Sequence, residues 1–273
     1  MLTNQIFYTF LLCFFLAPSI FSQTLRVKGS DTMLPMMQLQ VEAYVKKMNA
    51  NITTTGGGSG NGITSLLDGT ADIAMSSRDV KLGEKLKFEE KKLDIVTEKI
   101  AVDALSIIVH PNNPIQKLTR EQLEDIFTGK ITNWKEVGGQ DQKITVYTRE
   151  SSSGTFEFMK EHVMNKKEFA KDAISTAASA QIVHGVSKNE GAIGYVGLAY
   201  VENIIKAISV SYNGKDFIFP NFNNAHKGIY PIARPLFLLY DKSQEKKIAP
   251  FIEFVLSSYG QKLVTHKGYV PVN

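Results

Sequence analysis

Leu25-Arg26-Val27-Lys28 alternates apolar and basic side chains and stops at Gly29-Ser30-Asp31-Thr32-Met33, beyond which Leu34-Pro35 opens a longer run to Met48. The alternation predicts a strand, and the run predicts a helix with Leu34, Met37, Val41, Tyr44, Val45 and Met48 on one face. Pro35 suits a first helical turn, where its missing N–H costs nothing. A strand that ends in Gly-Ser and feeds straight into a helix is the unit from which open α/β sheets are built.

The same unit recurs downstream. A strand over Asn51 to Thr55 meets Gly56-Gly57-Gly58-Ser59-Gly60 and a short helix that stops at Gly69. A strand over Asp72 to Met75 ends at Ser76-Ser77-Arg78, and the charged segment Gly83 to Asp94 reads as a solvated helix. Ile144 to Thr148 ends at Arg149-Glu150-Ser151-Ser152-Ser153-Gly154-Thr155, and the following helix turns Phe156, Met159 and Val163 inward. Ala104 to Val109, Ile193 to Val196, Ala207 to Val210 and Pro235 to Tyr240 read as further strands, with a helix from about Ala249 to Tyr259. Thr119 with Gln122 forms a capping box, and Trp134 and Phe127 read as packing residues. His110-Pro111-Asn112-Asn113-Pro114 breaks the chain between two such groups of elements. The expected organisation is therefore a leader over 1–22, a discontinuous first domain over 23–112 and 226–273, and a second domain over 113–225, with a cleft and a two-segment hinge between them.

Four of these strand ends share one chemistry. Free N–H groups in a helix's first turn favour an anion, glycine lets backbone approach it, and hydroxyls add short donors. Arg149 adds a planar, permanently charged fork close to Ser153. A Ser, Thr or Asp at a helix start is also an ordinary N-cap, and Asp31 can be read so. It is the conjunction of four such turns that points to an oxyanion site.

The 273 residues, 43% hydrophobic and 21% charged, suit one large or two smaller globular domains. A net charge of +4 with no basic stripe excludes a nucleic-acid binder. Ile6 to Leu16 is too short an apolar run to span a bilayer and reads as a secretory leader cleaved after Ser22, although no Lys or Arg precedes Arg26. Cys13, the only cysteine, follows Leu11-Leu12 and is a poor lipidation site. The mature chain would then hold no thiol, and its five histidines stand singly. No metal, cofactor or catalytic residue is expected.

In this order, Gly29-Ser30-Asp31-Thr32-Met33-Leu34-Pro35, Gly56 to Gly60, Ser76-Ser77-Arg78 and Arg149 to Thr155 resemble the phosphate-binding subunit of bacterial ABC phosphate importers, as do Phe127 to Trp134 and Gly191 to Tyr195. The resemblance spans about Leu25 to Val272. It implies an α/β periplasmic binding protein of type II-like, two-lobed architecture that carries inorganic phosphate to membrane-embedded ABC permease subunits and acts as a monomer. Carried onto this chain, the family's contacts fall on Ser30, Asp31, Thr32, the backbone of Met33, Ser59, Ser77, Arg78, Arg149, Ser153, Gly154 and Thr155. Where many members have an Asp that accepts the phosphate proton, this chain has Ser77, and Asp31 or Asp103 would have to replace it. The competing expectations are a receptor for sulfate, molybdate or tungstate, a secreted phosphatase with Ser153 or Thr155 as nucleophile, and a surface protein with a vestigial site.

Overall fold

The computed structural model describes residues 24–272; the leader and Cys13 lie outside them. Eleven strands occur among the described residues: β1 (Leu25–Gly29), β2 (Ile52–Thr55), β3 (Ile73–Ser76), β4 (Ile95–Val109), β5 (Lys117–Thr119), β6 (Thr145–Arg149), β7 (Ile174–Thr176), β8 (Ala192–Gly197), β9 (Lys206–Ala207), β10 (Ser209–Ser211) and β11 (Ala233–Asp241). The helices are α1 (Leu34–Met48), α2 (Ser59–Leu67), α3 (Leu82–Glu90), α4 (Arg120–Phe127), α5 (Gly154–His162), α6 (Ser179–Lys188), α7 (Phe222–His226), α8 (Glu245–Leu256) and α9 (Ser258–His266). The architecture is α/β, as the strand-turn-helix units imply.

The main sheet runs β2-β1-β3-β11-β4-β8-β6-β7, with β9 also on β4. β1, β2 and β3 are parallel, β11 is antiparallel to β3 and β4, and β8 is antiparallel to β4 but parallel to β6. The seam is β4. Its Ile95–Ala104 half pairs with β11 and its Leu105–Val109 half with β8, so one continuous strand serves both lobes. This change of partner at Ala104 falls upstream of the Pro-Asn break at 111–114. A strand kept intact through this change of partner loses no backbone pairing there.

Each lobe buries its own core. In the first, Val27, Ile73, Met75, Leu236 and Leu238 of the sheet pack against Met36 and Met37 of α1 and Phe251 and Val255 of α8. Met48, expected on that inner face, is exposed at the end of α1. In the second, Leu105, Ile107, Val146 and Tyr195 meet Phe127, Trp134 and Met159. Trp134 also donates Nε1–H to the Gly191 carbonyl at 3.0 Å, so it serves packing. Thr119 and Gln122 form the expected reciprocal cap of α4. The expected helix from Ala249 to Tyr259 is instead two helices, because Ser257 adopts an extended ψ of 159° and caps α9 through the Gly260 N–H.

Candidate functional site

The C-terminal ends of β1, β3 and β6 converge where the lobes meet, as in open α/β sheets generally. β1 leaves the sheet at Gly29, whose φ is +141°; a Cβ there would stand 2.2 Å from the Met75 carbonyl oxygen. Only glycine fits that exit. The next four residues close a tight turn, with the Met33 N–H donating to the Ser30 carbonyl at 3.1 Å.

Three hydroxyls of the first lobe meet beside this turn. Ser30 Oγ donates to Ser77 Oγ at 3.0 Å, the Ser59 and Ser77 hydroxyls lie 3.3 Å apart, and the Ser77 N–H donates to Ser59 Oγ at 3.1 Å. The start of α5 in the second lobe faces them directly. A Cβ on Gly154 would come within 2.3 Å of Ser59 Oγ and 2.7 Å of Ser77 Oγ, so the close approach of the lobes requires glycine there. Thr32 Oγ1 and Thr155 Oγ1 are 2.8 Å apart, and the Gly60 N–H donates to the Ser152 carbonyl at 2.9 Å. Ser153 Oγ accepts from the Thr155 and Phe156 N–H groups, so its hydroxyl caps α5.

Arg149, at the end of β6, is 2% exposed and reaches across the lobes to Asp31, with Nη2 2.6 Å from Oδ2. Its fork is further oriented by Ser179 Oγ (2.9 Å) and the Ala177 carbonyl (2.6 Å), while Asp31 Oδ1 accepts the Gly57 N–H at 3.3 Å. A second buried pair lies behind the first. Arg234 of β11 is paired in register with Asp103 of β4, with Nη2 3.2 Å from Oδ2. The same Nη2 donates to both Thr32 Oγ1 and Thr155 Oγ1 at 3.0 Å, and the guanidinium lies 5.3 Å from the Phe158 ring centroid. Complete burial raises the Asp103 carboxyl above the ordinary carboxylate range despite the pull of Arg234, and burial likewise lowers Arg234.

The structure thus brings together Ser30, Asp31, Thr32, Ser59, Ser77, Arg149, Ser153, Gly154 and Thr155. Met33 sends its side chain into the first lobe's core. Arg78 turns its fork to Glu84, at 2.8 and 2.7 Å, and so is committed to the first turn of α3. Burial would raise the Glu84 carboxyl, but Arg78 and the Lys81 N–H hold it below its ordinary value. Arg234 escaped sequence reading altogether. Its neighbours Ala233 and Pro235 carry no chemical signal, and only strand register sets it opposite Asp103. Among the described residues no cluster of His, Cys, Asp or Glu could hold a metal ion, and no helix is long and apolar enough to cross a membrane.

The profile of the PBP superfamily domain matches residues 20–258. The phosphate-binding protein PstS of Pseudomonas aeruginosa is 32% identical over 263 residues, covering 89% of this chain and 81% of that protein. The chain belongs to the PstS family of the PBP superfamily. Among solved members, a phosphate ABC transporter substrate-binding protein from Clostridium perfringens with bound phosphate is 33% identical, with a TM-score of 0.84 over 92% of this chain and all of that one. An ABC-type phosphate transport receptor from Vibrio cholerae is 32% identical, with a TM-score of 0.72 over 90% and 99% of the two chains. The two-lobed α/β architecture is therefore the family's own, and the convergent hydroxyls, arginines and carboxylates lie at the meeting of its lobes.

Proposed function

We propose that this protein is an extracytoplasmic receptor that captures inorganic phosphate between its lobes and delivers it to the membrane-embedded permease subunits of an ABC importer, acting as a monomer after export by residues 1–22. The observation that carries this reading is the meeting of Ser30, Ser59 and Ser77 with Gly154 and Thr155 from the opposite lobe, flanked by Arg149. Hydroxyl, amide and guanidinium donors from two sides suit a tetrahedral oxyanion, and closure of hinged lobes around a ligand is the general behaviour of periplasmic binding proteins. We take the lobes to be residues 24–104 with 233–272, and 105–232, as the partner change along β4 suggests.

The protein is a receptor, not an enzyme, as its substrate-binding relatives are. The hydroxyls that a phosphatase would use as nucleophiles have other partners: Ser153 caps α5, and Thr155 bonds Thr32 and Arg234. With Ser77 a hydroxyl, the acceptor for a phosphate proton falls to Asp103, whose burial makes it a stronger base than an ordinary carboxylate. Such an acceptor disfavours sulfate, which brings no proton at neutral pH. Calorimetry on the purified protein, stripped of co-purified anion, tests the reading: phosphate should bind with one site per chain at micromolar or better affinity, and sulfate at least about tenfold more weakly. No heat with phosphate, or turnover of a chromogenic phosphate ester, would overturn it.

A further inference from the structure

The turn that bears Ser30, Asp31 and Thr32 is only a single tight turn, yet its side chains must address groups of both lobes. Two phenols outside the expected binding set hold it. Tyr200, which follows β8, donates its hydroxyl to the Asp31 carbonyl at 2.6 Å. Tyr269, near the C-terminus, donates to the very next carbonyl, that of Thr32, at 2.5 Å. Burial raises both phenols above their ordinary range, so both remain protonated donors at working pH.

A trans peptide is planar, with its C=O and N–H pointing in opposite directions. The Asp31 carbonyl shares a plane with the Thr32 N–H, and the Thr32 carbonyl with the Met33 N–H. Holding these two carbonyls therefore fixes two successive amide planes and the Thr32 Cα between them. Thr32 is the residue whose hydroxyl meets both Thr155 and Arg234, and Asp31 is the partner of Arg149.

Each phenol is itself anchored at the hinge. Tyr269 precedes Val270, which exchanges both backbone hydrogen bonds with Val102 of β4, at 2.8 and 2.9 Å, one residue before Asp103. Beyond it, the Val272 N–H donates to Gln261 Oε1, and Gln261 donates to the Ile100 carbonyl, also on β4. Tyr200 closes the turn that opens with Leu198, whose N–H donates to Asp103 Oδ1 at 3.2 Å. Hinge strand and binding turn are thus linked through two hydroxyls.

We infer that Tyr200 and Tyr269 are positioning residues of the anion site: they orient the Asp31–Thr32 and Thr32–Met33 peptides, so that the C-terminal strap and the turn after β8 are working parts of ligand capture. The inference rests on the phosphate reading above and deepens it.

The test compares Tyr200→Phe and Tyr269→Phe with Tyr44→Phe, a buried tyrosine of the first lobe's core that lies on α1. Phosphate calorimetry, thermal unfolding of the ligand-free protein and amide resonances are measured for each. Loss of one such hydrogen bond should raise the phosphate dissociation constant about fivefold for Tyr200→Phe and about tenfold for Tyr269→Phe. The smaller effect at Tyr200 follows because the Leu34 N–H also serves the Asp31 carbonyl. In ligand-free protein the Thr32 amide should shift in Tyr200→Phe and the Met33 amide in Tyr269→Phe, while Tyr44→Phe alters neither affinity nor these resonances. Unchanged affinity in both variants overturns the inference, as does a loss matched by Tyr44→Phe or fully accounted for by lower ligand-free stability. If the parent protein fails to bind phosphate, the functional reading falls, and the amide shifts alone decide whether the phenols orient the turn.

Discussion

Arg234 on β11 stands directly opposite Asp103 on β4, both side chains fully buried; Nε and Nη2 both hold the carboxylate, and Nη2 also holds Thr32 and Thr155. The pair sits on two adjacent antiparallel strands, close to where β4 passes from β11 to β8 as its partner. A charge placed there is either matched or costly. Breaking a buried pair from one side costs far more than the pair contributes, because the remaining ion is left without water or partner.

Asp103→Asn should therefore lower stability by about 3 kcal/mol in denaturant unfolding, since Arg234 remains buried and charged. The double variant Asp103→Asn/Arg234→Gln should recover most of that loss, having no unpaired charge. In the same double variant the preference for phosphate over sulfate should shrink several-fold in competition calorimetry; an undiminished preference would remove Asp103 from the selectivity argument.

Arg149→Ala should weaken phosphate binding by about 100-fold or more, because it deletes the cation and leaves Asp31 without its 2.6 Å partner. Arg78→Ala should cost affinity far less, its fork being spent on Glu84. Equal losses in the two variants would contradict the placement of Arg78 outside the cluster.

Gly154→Ala tests closure without altering charge. Alanine is a better helix former than glycine, so α5 should be unharmed. The added methyl, 2.3 Å from Ser59 Oγ, must hold the lobes apart. Phosphate affinity should drop by more than about tenfold, and small-angle scattering should report a more open phosphate-loaded molecule. Wild-type affinity in this variant would mean that the lobes do not approach at this point.

Acid should act on the second lobe through Glu124. Lys167 and Arg120 pair with its carboxylate and hold it down at about 2, and the Asn165 amide also donates to it. A depressed carboxyl stabilises the folded state above its unfolded value of about 4.3, and that contribution fades as pH falls toward 2. Unfolding midpoints should therefore decline between pH 5 and pH 2 in the parent, and more shallowly in Glu124→Gln. A steeper decline in the variant would reverse the assigned sign.

The strand-end turns were legible because their signals are local. Gly29-Ser30, Gly58-Ser59 and Ser153-Gly154 mark a strand's exit and a helix's entry within a few residues, and backbone geometry requires those residue types there. Arg234, Tyr200 and Tyr269 were not legible, because nothing in Ala-Arg-Pro, Leu-Ala-Tyr or Gly-Tyr-Val distinguishes a buried tether from surface or core. The Pro-Asn break at 111–114 is legible in the sequence, whereas the change of pairing partner at Ala104, within the uninterrupted β4, is not.

By itself, then, the sequence determined the α/β class, the four anion-type turns and the family resemblance, since propensity, periodicity and helix-start chemistry act over short spans of chain. Tertiary structure alone decided which carboxylate faces which arginine, that Arg78 serves Glu84 while Arg149 crosses to Asp31, and that two distant phenols hold adjacent carbonyls. Those pairings join residues more than a hundred positions apart in the case of Arg149 and Asp31. They follow from sheet order and register, which the whole core selects and no short segment contains.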